Sequence, residues 1–86
     1  MEQPYTIDAG DYFFNPVQTS VPAGTTVTWR NVGGEAHNVV ARDGSFSSWS
    51  MMPGERFSFE LSRPGHYAYV CTFHEGDGMF GEIDVE

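Results

Sequence analysis

The sequence contains no lysine, and its only basic residues are four arginines, against twelve aspartates and glutamates. The formal net charge is therefore −8 at neutral pH. Nucleic acids and anionic membranes attract basic surfaces, so this balance argues against either of them as a partner. An acidic surface keeps a small protein soluble and is also compatible with a basic protein partner.

The chain is equally poor in long apolar runs and in cysteine. No run approaches the length of roughly 20 residues that a transmembrane helix needs, so we expect no direct membrane insertion. The lone cysteine, Cys71, cannot form an internal disulfide, so no framework of bridges supports the fold. The length predicts one small domain, residues 1–86, whose modest core a bound metal ion could help to stabilise.

Short segments with alternating apolar and polar residues, separated by glycine and proline, predict an all-β domain. The clearest is Thr25–Asn31, in which Val27 and Trp29 face one way and the intervening residues face the other. His37–Ala41 is mostly apolar, which predicts a central strand. The other predicted strands are Tyr5–Asp8, Tyr12–Phe14, Arg56–Ser62, His66–Thr72 and Phe80–Val85.

The number and spacing of these segments predict the architecture. About seven to eight short strands, turns about every 8–12 residues and no long helix are typical of a β-sandwich with Greek-key connections. A long connection over residues 42–54 leaves room for one helical turn, and Met51 and Met52 are expected to pack within this loop.

The chemically distinctive stretch lies near the carboxyl terminus, where Cys71, His74 and Met79 occur within nine residues. Thiolate and thioether groups are soft donors that favour copper, and a His₂Cys set with a weak axial methionine is typical of blue copper centres. His37 is the best candidate for the second histidine. The glycine-rich segment 76–78 permits a tight turn that returns Met79 towards Cys71 and His74.

Each of these residues also has a purely structural interpretation. A lone cysteine is often a small buried hydrophobe, Met79 could be a core methionine, and His37 could be a hydrogen-bonded, partly buried histidine. His66 is five residues from Cys71 in the same predicted strand, so it should face the opposite side and should not bind metal.

Asn38 is a polar residue in an otherwise apolar segment, and such residues usually make a specific hydrogen bond. We expect it to link the two segments that carry the candidate ligands, close to Cys71 and Thr72.

These motifs together resemble the plastocyanin-like cupredoxins, particularly their small, acidic, halocyanin-like members. The segments that carry the resemblance are HNVV, PGHYAYVCTFHEGDGMFGEIDVE and, upstream, FNPVQTSVPAGTTVTWRNVGGEAHNVV, which together cover roughly residues 12–86. By resemblance, the fold is a cupredoxin β-sandwich, and one type 1 copper ion is held by His37, Cys71, His74 and Met79.

Two positions depart from the family pattern. Phe73 stands where a proline is common, which bears on the stiffness of the ligand loop and on the shielding of copper. Val70 stands where plant plastocyanins usually have a tyrosine at their docking surface. We therefore do not expect docking as in plant plastocyanin.

The resemblance implies a one-electron carrier rather than an enzyme, with copper cycling between Cu(I) and Cu(II). His74 is the expected electron port, with Glu75 and Asp77 beside it favouring basic, transient redox protein partners. The expected apolar rim of this port consists of Gly33, Gly34, Ala36, Phe73 and Phe80. A monomer is expected, in the periplasm or outside the cell, where relatives are often tethered to a membrane.

Other functions remain open at this point. The chain could be a copper carrier, a domain of a larger redox protein or a metal-free interaction module, and zinc could occupy a Cys-His-His site. An enzyme with Cys71 as nucleophile has no clear orienting triad in the sequence. A copper enzyme with a further metal site would need more histidines, and His66 is the only spare one.

Overall fold

In a computed structural model, which describes residues 4–86, eight strands form two four-stranded sheets. The strands are β1 (Pro4–Gly10), β2 (Phe13–Asn15), β3 (Gln18–Val21), β4 (Thr25–Asn31), β5 (Val40–Ala41), β6 (Arg56–Leu61), β7 (Gly65–Val70) and β8 (Phe80–Val85). A short 3₁₀ helix spans Glu75–Asp77. No helix in the described part of the chain has the length and hydropathy to cross a bilayer. The predicted all-β sandwich is confirmed.

The two sheets have mixed strand directions. The first has the order β2-β1-β4-β6, in which β1 and β4 are parallel. The second has the order β3-β8-β7-β5, in which β3 and β8 are parallel. The remaining pairs are antiparallel. Because β2 and β3, like β4 and β5, lie in different sheets, the chain crosses repeatedly between the layers.

Aromatic side chains fill the space between the sheets. Along β4 every second residue is buried, and Trp29, next to its central residue, has no exposed surface. The ring centroid of Trp29 lies 5.4 Å from that of Tyr69 on the second sheet, and Phe14 lies 4.9 Å from the same tyrosine. Such edge-to-face pairs add about 0.5–1.5 kcal/mol each beyond their burial. Aromatic packing therefore holds the layers together without a disulfide.

Two predictions about the strands are wrong. Within His37–Ala41 only Val40–Ala41 is a strand, and it lies at the edge of its sheet rather than at the centre. The reason is that the backbone of His37 pairs with Met51 of the following loop instead of with a sheet. Tyr12 lies in the turn between β1 and β2, so that β2 begins at Phe13.

The structure also contains one strand and one helical turn that the alternating pattern does not mark. The segment Gln18–Val21 is mostly polar and buries only Val21 fully, so it carries no apolar alternation, yet it pairs with β8. Residues 42–54 contain no helix, and the short helical turn lies instead at Glu75–Asp77.

His66 lies on the exposed face of β7, between two carboxylates of β8. Its Nδ1 is 2.7 Å from Asp84 Oδ1, and its Nε2 is 2.9 Å from Glu82 Oε1. Both ring nitrogens can donate hydrogen bonds only when the imidazole is protonated. The hydrogen bond to Asp84 is the main cause that raises the pKa of His66 above its ordinary value.

The raised pKa of His66 predicts a pH-dependent contribution to stability. The folded state favours the imidazolium, so the contribution is complete below the unfolded-state pKa of about 6.5 and is lost as pH rises through the higher folded-state pKa. The unfolding temperature of the copper-loaded His66→Gln variant should therefore fall below that of the wild type in mild acid. The two should converge in alkaline solution.

Thermal unfolding of both proteins across a series of pH values checks this expectation, because effects common to both proteins cancel in the difference. A difference that does not change with pH would contradict it.

Candidate metal centre

Three side chains with metal-binding atoms meet among the loops at one end of the sandwich: His37, Cys71 and His74. One ligand atom from each lies within 4.8 Å of the other two. Cys71 Sγ is 3.9 Å from His37 Nδ1, and the centroids of the two imidazole rings are 5.0 Å apart. His37 and Cys71 are fully buried, whereas His74 is partly exposed. The sequence thus predicted these three residues to converge, and they do.

The loop between β7 and β8 is closed by its own backbone. The carbonyl of Cys71 accepts a hydrogen bond from the N–H of His74 at 3.1 Å, and the short 3₁₀ helix follows directly. Gly78 then adopts the left-handed conformation, with φ of 79°, which reverses the chain. The carbonyl of Met79 accepts the N–H of Cys71 at 3.0 Å. The fully buried Met79 is thereby held beside the cysteine, as the glycine-rich loop predicted.

His37 is held by backbone hydrogen bonds to the loop that contains Met51. Its N–H and carbonyl pair with the carbonyl and N–H of Met51, at 3.0 and 2.8 Å. The buried amide of Asn31 donates to the carbonyls of Met51 and Glu35, at 2.9 and 2.8 Å. Sequence analysis did not single out Asn31, although a polar residue at a buried position of an alternating strand is a signal of such a role.

Asn38 makes the predicted link between the two ligand-bearing segments. Its Nδ2 donates to Thr72 Oγ1 at 2.8 Å, and its Oδ1 accepts the backbone N–H of Thr72, also at 2.8 Å. Because Asn38 follows His37 and Thr72 follows Cys71, this reciprocal pair fixes the spacing of two candidate ligands. The predicted contact is confirmed.

A carboxylate that the sequence did not reveal contacts the buried histidine. Asp11 Oδ1 is 2.6 Å from His37 Nε2, and Asp11 Oδ2 accepts the backbone N–H of Gly34 at 2.8 Å. The hydrogen bond from Gly34 is the main cause that lowers the pKa of Asp11, followed by the one from His37. Asp11 lies in the turn after β1, and no motif marks it as a neighbour of His37.

The second histidine lies beneath a tyrosine and between two acidic groups. The ring centroid of Tyr12 is 4.5 Å from that of His74, and the tyrosine hydroxyl hydrogen-bonds Glu35. This bond is the main cause that raises the pKa of Tyr12 to about 12. Glu35 Oε1 is 3.6 Å from His74 Nε2, and Asp77 Oδ2 is 3.8 Å from His74 Nδ1. The side chain of His74 is consequently only 14% exposed.

The surroundings of His74 agree in part with the expected apolar rim. Of the expected members, Phe73 lies here: its ring centroid is 6.4 Å from that of His74, and it is 52% exposed. Gly33 and Gly34 lie instead against Asp11. Tyr12, which the sequence did not place here, covers the ring of His74 and is itself 39% exposed.

The donor set fits a first-row metal ion that prefers soft ligands. A zinc ion, for comparison, holds sulfur at about 2.3 Å and imidazole nitrogen at about 2.0–2.1 Å, so a sulfur and a nitrogen on one such ion lie at most about 4.4 Å apart. The 3.9 Å between Cys71 Sγ and His37 Nδ1 meets that limit. Thiolate with two imidazoles and a nearby thioether is the combination typical of copper electron-transfer sites. His66, tied to Asp84 and Glu82, is not part of this grouping.

Comparison with known proteins points to the same chemistry. The family model described as "Copper binding proteins, plastocyanin/azurin family" matches residues 1–86. A plastocyanin of Scenedesmus fuscus is 36% identical over 90 residues, which span 92% of this chain and 92% of that protein.

Solved structures have the same fold. A purple cupredoxin from Nitrosopumilus maritimus superposes with a TM-score of 0.85 and 28% identity, covering 95% of this chain and 99% of the other. A copper-containing nitrite reductase from Thermus scotoductus gives a TM-score of 0.87 and 28% identity, but this chain spans only 22% of that enzyme.

The reciprocal Asn38–Thr72 bonds predict a double effect of Asn38→Ala. Two exposed hydrogen bonds are lost, so the unfolding free energy should fall by about 1–2 kcal/mol. Because the bonds fix the spacing of His37 and Cys71, copper should also dissociate faster and its reduction potential should shift.

A matched control is Ser58→Ala, which removes the 2.7 Å bond between Ser58 and Thr28, two strand residues outside the histidine–cysteine cluster. This control should lose stability without changing copper release or potential. The measurements are chemical unfolding, release of copper to a chelator and redox titration. An Asn38→Ala protein with wild-type copper release and potential would refute the linking role.

Proposed function

Because the chain belongs to the plastocyanin/azurin family of copper-binding proteins, we propose that His37, Cys71, His74 and Met79 hold its single type 1 copper ion. The protein is a blue copper electron carrier. The observation that supports this ligand set is the convergence of the first three donors within 4.8 Å. We further propose that residues 1–86 act as one such domain.

Each proposed ligand has a role that its surroundings support. The bound copper ion supplies the one-electron step between Cu(II) and Cu(I). Cys71 binds as the thiolate, and its complete burial keeps water and competing thiols away. His37 offers Nδ1, since its Nε2 faces Asp11. Met79, which is fully buried, would supply a thioether, a weak donor to copper.

The hydrogen bonds around these residues suit a carrier that must exchange electrons quickly. The loop closure at Cys71 and Met79 and the bond pair at Asn38 and Thr72 tie together the backbone that carries the donors, so we expect one arrangement in both oxidation states. A preformed site requires little movement when the charge of the metal changes. The geometry thus supports rapid outer-sphere transfer rather than uptake and release of the ion.

We propose that electrons enter and leave at His74 and the tyrosine above it. His74 is the partly exposed histidine of the cluster, and Tyr12 covers its ring. Phe73 supplies an exposed apolar surface for a small, transient contact. Nearby carboxylates favour a basic redox protein partner, which the protein meets as a monomer in the periplasm or outside the cell.

An enzymatic function has less support. The similarity to the copper-containing nitrite reductase extends over 22% of that enzyme. The chain has three histidines, of which two lie in the cluster and the third, His66, bonds to Asp84 and Glu82. A second catalytic metal site would therefore lack its usual imidazole ligands within this chain. We propose that the protein carries electrons and does not itself turn over a substrate.

The ligand proposal predicts the optical and EPR spectra of the copper-loaded protein. Addition of Cu(II) should produce an intense visible band with a narrow copper hyperfine splitting, and ascorbate should bleach the band, because a buried thiolate ligates a redox-active ion. Cys71→Ser should abolish the band. Met79→Leu should keep the band with a changed reduction potential, because a thioether is only a weak donor to copper.

His66→Gln provides the matched control, since it removes a histidine outside the cluster, and it should leave the spectrum unchanged. A weak, ordinary Cu(II) spectrum in the wild type would contradict the proposed site. Copper that the protein hands to an acceptor protein faster than it exchanges electrons would favour a carrier of copper instead.

The acidic groups at the proposed port predict opposite salt effects for oxidants of opposite charge. Glu35, Glu75 and Asp77 surround His74, and Arg42 partly offsets them through its 3.5 Å pair with Glu75. Oxidation of the Cu(I) protein by cationic tris-phenanthroline cobalt(III) should slow by about tenfold with added salt. Oxidation by anionic ferricyanide should accelerate.

Stopped-flow measurements at several ionic strengths check this. Asp77→Asn should flatten both dependences, whereas Glu60→Gln, on β6, should affect them far less. Rates that do not respond to salt for either oxidant would rule out electrostatic steering at the port.

A further inference from the structure

We infer that Asp11 is a positioning residue for His37. Its carboxylate accepts a hydrogen bond from Nε2–H, which turns Nδ1 towards the metal. Its negative charge favours the oxidised copper ion. This inference deepens the proposed function and rests on the assignment of His37 as a ligand. It assigns a role to a residue in the turn between β1 and β2, far in sequence from the other residues of the site.

The carboxylate of Asp11 orients the imidazole of His37. Asp11 Oδ1 lies 2.6 Å from His37 Nε2, and Cys71 Sγ lies 3.9 Å from His37 Nδ1. A neutral imidazole has one N–H and one free lone pair. With the proton at Nε2 held by the carboxylate, the lone pair at Nδ1 points to the side where the thiol lies. A carboxylate bonded to the distal nitrogen of a ligating histidine fixes both the tautomer and the ring orientation.

The loop before His37 is built around this carboxylate. Gly34 donates its N–H to Asp11 Oδ2 at 2.8 Å, which leaves Oδ1 for the histidine. A β-carbon at position 33 would overlap the Asp11 side chain, so glycine at this position makes room for it. Gly33 is in turn fixed by its N–H bond to the Asn31 side chain at 2.9 Å. The loop thus offers the Asp11 side chain a hydrogen-bond donor, the N–H of Gly34, and the space left by the missing β-carbon of Gly33.

The negative charge of Asp11 affects the reduction potential of the bound copper ion. His37 is fully buried whereas the Asp11 side chain is 31% exposed, so solvent screens this contact in part but less than it would screen a pair of fully exposed groups. A carboxylate hydrogen-bonded to a ligating imidazole raises the basicity of that ligand. A more basic, more negative ligand stabilises Cu(II) more than Cu(I). Asp11 therefore lowers the reduction potential of the bound ion.

The test uses three variants of the copper-loaded protein. Asp11→Asn removes the charge but keeps an oxygen that can accept the His37 proton. Gly33→Ala leaves the charge of the chain unchanged and displaces the carboxylate, and it does so without backbone strain because Gly33 is not among the glycines with positive φ. Glu60→Gln removes one negative charge on β6, where it pairs with Thr26 at the beginning of β4.

Two readouts follow these variants: redox titration, and proton–nitrogen NMR of the diamagnetic Cu(I) protein. Asp11→Asn and Gly33→Ala should each lower the ratio of Cu(II) to Cu(I) affinity by about tenfold, which corresponds to a potential about 59 mV higher for one electron. The Nε2 proton of His37 should resonate far downfield and exchange slowly in the wild type. It should move upfield and exchange faster in both variants.

The outcomes distinguish a failure of the proposed function from a failure of the role of Asp11. A wild-type protein without the blue band would overturn the proposed function and this inference together. A blue wild type whose Asp11→Asn and Gly33→Ala variants shift the potential no more than Glu60→Gln, with the His37 proton unchanged, would overturn the role of Asp11 alone. A loss of thermal stability with neither readout altered would show that Asp11 serves only the loop.

Discussion

The metal site depends on one constraint: His37 must stay beside Cys71 although they are thirty-four residues apart in the sequence. The two reciprocal hydrogen bonds between Asn38 and Thr72 meet this constraint directly, because each partner is the immediate neighbour of a proposed ligand. Packing within the sandwich brings the segments near each other, but hydrophobic contacts are not directional. A pair of 2.8 Å bonds of defined geometry sets the separation of these two proposed ligands.

The acidic composition has a local consequence at this site. A buried cysteine thiolate and nearby carboxylates would repel one another without a cation, and a bound copper ion relieves that repulsion. The same groups raise the preference of the site for the higher charge of Cu(II). They also give the exposed surface near His74 a negative electrostatic potential. The acidic composition therefore acts on both the reduction potential of copper and the charge of the partner that fits. Because the Asp11 side chain is 31% exposed and that of Asp77 is 61% exposed, salt should affect the encounter with a partner more than the reduction potential.

The residues that could be predicted from the sequence are those whose geometry is local. Cys71, His74 and Met79 lie on one hairpin, so their spacing and the glycines between them already describe the loop. His37 was the best candidate for the second histidine from the sequence, the resemblance to a family implied the same residue, and its polar neighbour Asn38 pointed to the link with Thr72. Asp11 and Tyr12 were not predictable, because they reach the site only through the pairing of β1 with β4 and the turn that follows β1. For the same reason the segment after His37 was wrongly expected to be a central strand, since its backbone bonds to Met51 are contacts between loops.

The two histidines of the cluster are placed for different tasks, and this difference explains why the surrounding groups are arranged asymmetrically. His37 has no exposed surface, and its distal nitrogen is bonded to the carboxylate of Asp11, whose side chain is 31% exposed. His74 lies at the edge of the site beneath Tyr12, where its contacts with Glu35 and Asp77 are longer than hydrogen bonds. A carrier benefits from separating these roles, because a ligand that sets the potential should not change its surroundings when a partner docks. We infer that the buried histidine sets the driving force and the partly exposed one provides the route of the electron.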